Sequence, residues 1–195
     1  ERIPIVPQPD HVMAFPIPDE AALDEDLKAY YAKCLEKLGL VPNVIRAYSL
    51  RPKKLRNFIA TYNELMLGDS GLSKLEREMI AVTVSSANRC YYCLVAHGQA
   101  VRRLADDPEL GEMLAFNHRV ARLPPRQRAM LDFAWRLTTE PHMVGDAERA
   151  ALRQQGFSDE DIFDICDVVG FFNMSNRVAS GVDMMPNRDY HAMNR

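Results

Sequence analysis

Residues 78–103 read EMIAVTVSSANRCYYCLVAHGQAVRR. A carboxylate, Glu78, stands at the head of an apolar helical run that fades at Ala87-Asn88-Arg89. A second helix-like run begins near Cys90 and carries Cys90, Cys93 and His97 at spacings of three and four. Such spacings share one helix face. If the chain reverses at Asn88-Arg89, Glu78 lies about 16 Å before the turn and His97 about 13 Å after it, at about 1.5 Å per residue. The two then sit at similar depth on facing antiparallel helices. In one continuous helix Glu78 and Cys93 would be more than about 20 Å apart. The turn is what makes a common site possible.

Outward from this segment the signals stay helical. "GLSKLERE" holds a capping box, with Ser73 as cap and Glu76 three residues later. Upstream, residues 19–39 repeat Leu23, Leu27, Tyr30, Tyr31, Cys34, Leu35 and Leu38 at helical spacing, with Gly39 suited to the C-terminal cap. Pro42 and Pro52 open two more helices, the second stopping at Gly68. Downstream, helices are predicted over 109–119, 124–139, 146–155 and 158–181, the last capped by Ser158. It is apolar on more than one face, which predicts a central helix or a subunit interface. No stretch alternates with period two, so the fold class is all-α.

Five prolines between Pro4 and Pro18 forbid a helix there. The expected organisation is an extended arm over residues 1–18, lying on its own chain or a neighbour, and one helical domain over 19–195. With 195 residues, 47% hydrophobic, the chain can bury a sizeable core. A net charge of −3 gives no electrostatic case for nucleic acid or an anionic membrane. No run of apolar residues is long enough to span a bilayer. The N-terminus lacks a signal-peptide pattern, so a cytoplasmic location is expected. Four cysteines are too few for a secreted disulfide framework, and a pair three apart points to redox chemistry or metal binding.

Cys90 and Cys93 fall in the first turn of a helix, where free N–H groups and the dipole favour a thiolate. Lowering a thiol from about 8.5 to about 6.5 raises its ionised fraction at pH 7 from roughly 3% to roughly 75%. It also costs about six- to tenfold in intrinsic nucleophilicity. Acidification therefore contributes little by itself. If a thiolate attacks a hydroperoxide, an acid must protonate the departing oxygen, which is worth about 10² to 10⁴ in rate. His97, one turn past Cys93, is placed for that transfer, and Glu78 is placed to orient the imidazole. Attack at Cys93 would give a sulfenic acid that Cys90 condenses to a disulfide. Other readings remain open. The four residues match a zinc ligand set, although a helical Cys-x-x-Cys lacks the usual knuckle turn. Taken singly, the cysteines read as buried core thiols and Glu78 as an exposed first-turn carboxylate. Ser85, two turns from Glu78 on roughly the same face, reads first as a packing residue and second as a hydrogen-bonding member of the site, Asn173 to Arg177 as a pocket or interface patch, and Cys34 and Cys166 as inert core thiols. His11, His118, His142 and His191 have no ligand-like spacing.

The pattern Glu78-x11-Cys90-x-x-Cys93-x3-His97, with its surrounding text, resembles the alkylhydroperoxidase AhpD core of the carboxymuconolactone decarboxylase superfamily, in its peroxidase-related branch. The match is specific over 55–105 and looser to about 180. The resemblance implies an AhpD-like orthogonal bundle whose antiparallel helix pair carries the site, and a homo-oligomer, trimeric or hexameric. It implies thiol-dependent reduction of alkyl hydroperoxides or hydrogen peroxide, with no cofactor and with electrons from a thiol reductant or a lipoyl- or thioredoxin-type adapter. Carried over by position, Cys93 is peroxidatic, Cys90 resolving, His97 the acid/base and Glu78 the relay carboxylate. AhpD proper has a histidine where this chain has Tyr92, a departure that weakens the carry-over of an identical relay and of the same lipoyl-adapter reductant. A redox-sensing or disulfide-carrying oligomer and a zinc-stabilised domain are the alternatives.

Overall fold

In the computed structural model, which describes residues 5–195, one helix is buried on every side. The capping box forms as the sequence predicts: Ser73 Oγ accepts the Glu76 amide and Glu76 Oε2 accepts the Ser73 amide. The helix it starts, α4 (Lys74–Ala87), has every residue from Glu76 to Ser85 buried. The elements before it are α1 (Glu25–Leu38), α2 (Asn43–Tyr48) and α3 (Pro52–Leu67). Those after it are α5 (Tyr91–Ala105), α6 (Pro108–Asn117), α7 (Pro125–Thr139), α8 (Asp146–Gln154) and α9 (Asp159–Gly181). Helices α5, α6, α7 and α9 pack around α4. No strand occurs among the described residues.

The sequence assigned the central place to the last helix or left it at an interface. The centre belongs to α4, and α9 lies against it with Ile165, Val168 and Phe172 inward and Phe163 and Met174 in solvent. A helix can be buried all round only if its polar side chains find partners. In α4 they do. Arg77 donates to the Leu65 and Gly68 carbonyls at the end of α3. Glu76 accepts from Gln127 and Arg126.

The first helix starts later than its periodicity suggests. Residues 20–22 form a single 3₁₀ turn, Leu23 is extended, and α1 begins at Glu25. Asp24 stands at the N-cap without capping, because its carboxylate is engaged by Arg56, as is that of Asp26.

The reversal between α4 and α5 is a Schellman turn. Arg89 takes a left-handed conformation (φ 54°), the Cys90 amide bonds the Ser85 carbonyl and the Arg89 amide bonds that of Ser86. Helices α5 and α6 approach closely at Gly111, where a Cβ would sit 3.0 Å from the Gly98 carbonyl oxygen.

The first four residues of the expected arm lie outside the described residues. From residue 5 to 18 the chain has no helix and runs along the C-terminal segment of its own chain. The Ala14 amide bonds the Val182 carbonyl, the Met185 amide bonds that of Val12, and Gln8 donates to Pro186. Met13 inserts beneath this seam and is 5% exposed.

Candidate active site

Cys90 is the N-cap residue of α5 and Cys93 lies within its first turn. Both thiols are unpaired and buried, at 1% and 3% exposure. They differ in what surrounds them. Cys93 borders a cavity of about 780 Å³, together with His97 and Glu78. Cys90 lies behind it, packed with Met13, Ala179 and Met184.

Glu78 and His97 meet as the reversal predicts, with Glu78 Oε2 2.6 Å from His97 Nδ1. Reading Glu78 as an exposed carboxylate is incorrect, because α4 is central and the residue is 8% exposed. The imidazole is further fixed by the edge-on Phe172 ring, with centroids 4.7 Å apart. With Nδ1 committed to Glu78, Nε2 is the ring nitrogen left for proton transfer. No group of three His, Cys, Asp or Glu among the described residues is arranged to hold a metal ion.

The two thiols share their protons unequally. Cys90 is brought down to about 7, first by the hydrogen bond from the Cys93 thiol, against the opposing effect of burial. The Cys93 amide, the Ser180 hydroxyl and the His97 charge add to the lowering. Cys93 is pushed well above the ordinary thiol range by its bond to Cys90, by burial and by the Cys90 charge. When the reduced pair loses its first proton it becomes a Cys90 thiolate accepting the Cys93 S–H. The lowered thiol is the cap residue Cys90 rather than the cysteine facing the cavity, and its main cause is the Cys93 thiol, with the first-turn Cys93 amide adding to it.

Sequence reasoning missed the support contributed by α9. Asn176 and Ser85 both interact with Cys93, and Asn176 Nδ2 donates to Ser85 Oγ at 2.9 Å. Asn88, in the turn, donates to Asn173 Oδ1 and Asn176 Oδ1, tying the reversal to α9. Ser85 is therefore part of the site rather than simple packing. The Asn173 to Arg177 stretch was the available signal, and the asparagines at 173 and 176 are the side chains involved. Tyr92 borders the same cavity, but its hydroxyl is committed to backbone. It accepts the Val44 amide at 3.0 Å and anchors α2 to α5. Cys34, read as an inert core thiol, borders the cavity, and burial raises its thiol. Cys166 is half-buried and likewise raised by burial. His118, 2% exposed, pairs with Asp132 across 3.0 Å, away from the cavity.

Residues 52–124 match the Carboxymuconolactone decarboxylase family. A peroxidase-related protein from Silicibacter sp. TM1040 is 56% identical, over 96% of this chain and 98% of its own, with a TM-score of 0.93. The chain belongs to the AhpD-like carboxymuconolactone decarboxylase superfamily. An alkylhydroperoxidase AhpD core protein from Ralstonia eutropha JMP134 is 43% identical over 96% and 98% of the two chains, again with a TM-score of 0.93. The debrominase Bmp8, solved with 2,3,4-tribromopyrrole, shares the fold at 20% identity, 94% and 96% coverage and a TM-score of 0.77. No curated protein sequence matches the chain. The same fold thus also occurs in a debrominase. No helix among the described residues is long and apolar enough to cross a membrane.

Proposed function

We propose that this AhpD-like chain is a thiol-dependent peroxidase that reduces hydroperoxides through a Cys90–Cys93 disulfide. The observation that carries the reading is that Cys93 and a Glu78-oriented His97 border one cavity, with Cys90 packed behind Cys93. The Cys93 sulfur attacks the terminal peroxide oxygen as its proton passes to the Cys90 sulfur. An S–O bond forms, the O–O bond breaks, and the departing alkoxide takes a proton from the His97 imidazolium to leave as an alcohol. Cys90 then attacks the Cys93 sulfenic acid. The S–S bond forms, and the hydroxyl leaves as water, with the Cys90 proton relayed by His97. His97 regains its proton from solvent once the disulfide has formed. A dithiol donor then reduces the disulfide to the Cys90 thiolate and the Cys93 thiol and releases its second proton to solvent.

Cys93 is the peroxidatic residue because it alone of the pair borders the cavity, and Cys90 resolves. A cycle closed by an external thiol or adapter fits a reducing cytoplasmic compartment. Phe163 and Met174 on α9, and Phe116 on α6, are large apolar side chains in solvent, which supports self-association. Light scattering of the purified protein measures that assembly.

The decisive test is titration of the reduced protein with cumene hydroperoxide while free thiols are counted. Two thiols lost per peroxide are expected, with none of this fast consumption in Cys93→Ser. Unchanged consumption in that variant overturns the assignment. A second reading, a disulfide carrier without peroxidase turnover, is favoured by the burial of Cys90. It predicts a reversible disulfide with peroxide rates no faster than those of a free thiol.

A further inference from the structure

The cavity is far larger than a small peroxide requires. Its volume of about 780 Å³ lies within the range of about 300–1,000 Å³ of clefts that enclose drug-sized molecules. A water-sized molecule has about 30 Å³ in the liquid. Much of the wall is aromatic. Tyr48 stacks on Phe58 at 4.5 Å, Phe58 meets Phe171 at 5.5 Å, and Tyr62 meets Phe171 at 6.2 Å. Apolar side chains continue to the rim, where Leu38 and Leu67 are about half exposed.

The charged groups on this surface have a pattern. Among the described residues Glu78 is its only carboxylate, and that one is committed to His97. Against it stand three cations, Lys33 and Lys37 one turn apart on α1, and Arg103 on α5. All three are exposed, and none has an ion-pair partner among the described residues. A chain of net charge −3 thus places three unneutralised positive charges around one apolar opening. Arg103 follows His97 by six residues, about 9 Å along the helix.

Resting on the peroxidase reading, we propose that the substrate is a hydroperoxide of a large apolar carboxylic acid, such as a long-chain fatty acid. Its hydrocarbon body lies along the aromatic wall, its O–O bond reaches Cys93 and His97, and its carboxylate stays at the mouth among Lys33, Lys37 and Arg103. Cations there accelerate encounter and orient the chain, and salt weakens both effects.

The test compares linoleic acid hydroperoxide with its methyl ester, both kept below micelle formation, using the whole protein with dithiothreitol as donor. At low ionic strength the acid is expected to exceed the ester in kcat/KM by at least about threefold, the scale of a few exposed ion pairs. The ratio falls toward one between about 0.01 M and 1 M salt, as the Debye length shrinks from about 30 Å to about 3 Å. It also falls in Lys33→Gln/Lys37→Gln/Arg103→Gln, with Arg103→Gln alone giving part of the loss. Equal acid and ester values at low salt overturn the proposal even if both are reduced. Calorimetric titration with linoleic acid itself, which carries no peroxide, separates the two readings. Binding that the triple variant abolishes, in a protein that reduces no hydroperoxide, supports the carboxylate site and sinks the peroxidase reading. Absence of that binding in the wild type counts against the site.

Discussion

Glu78 Oε2 and His97 Nδ1 lie 2.6 Å apart across the α4–α5 interface, on side chains that are both nearly withdrawn from water. Each would be costly to bury alone, and together they fix the ring so that Nε2 serves the cavity. The pair is the joint between the fold's central helix and the cysteine-bearing one.

Replacing Glu78 tests that joint. Glu78→Ala leaves a buried imidazole without its partner and is expected to cost about 1–3 kcal/mol of stability. Under the proposed cycle His97→Gln lowers peroxide turnover by about 10² to 10⁴, the contribution of a placed acid. Glu78→Gln lowers it less, because the ring loses its orienting charge but keeps its proton-transfer atom. Nitrogen NMR of His97 reads the tautomer directly. A ring unaffected in Glu78→Gln, with activity still lost, would contradict an orienting role.

The thiol pair predicts an unusual dependence of stability on pH. Native Cys90 ionises at about 7, below the 8.5 or so expected when unfolded. Between those values the unfolded chain binds more protons, so reduced-protein stability rises with pH. Cys93 shifts the opposite way. Above about pH 8.5 the native pair retains a proton that the unfolded chain has lost, and stability falls again. The stability difference between wild type and Cys90→Ser is expected to peak near pH 8.5, at on the order of 2 kcal/mol. Absorbance at the thiolate band should show one step near pH 7. Cys93→Ala removes the main cause of the lowering and moves that step upward.

The same proton sharing shapes the redox potential. Below pH 7 reduction of the disulfide takes up two protons with two electrons, a slope of about 59 mV per pH unit. Above it only one proton is taken up, and the slope halves to about 30 mV. Equilibration with a dithiol buffer across pH 6 to 9 locates the break, at about 7. A uniform slope through that range would mean that Cys90 is not ionised in the reduced pair.

Tyr92 is predicted to be structural. Tyr92→Phe removes the acceptor of the Val44 amide and should lower stability by about 1–3 kcal/mol. Peroxide turnover should remain within a few-fold of wild type. A loss of a hundredfold or more with unchanged melting would place the phenol in the chemistry instead.

Much of the architecture was legible because its signals are local. The capping box at Ser73, the proline starts at Pro52 and Pro125, and the break at Asn88-Arg89 each depend on a few neighbouring residues. Given the break, the meeting of Glu78 with His97 follows from helix rise alone. The start of α1 was not legible, because Asp24 is diverted by Arg56, 32 residues away. The Asn176–Ser85 bond spans 91 residues, and nothing in either local sequence names the other partner.

The sequence by itself determined the all-helical class, the reversal, and the candidate set of Glu78, Cys90, Cys93 and His97. These depend on periodicity, capping and spacing, which the chain carries wherever it folds. Only the tertiary structure decided that α4 is the centre and that Cys93 borders the cavity while Cys90 is sealed behind Met13. It also decided which of the two thiols ionises first. The physical reason is that burial and the local field at a sulfur atom are set by residues distant in sequence, from the arm and from α9.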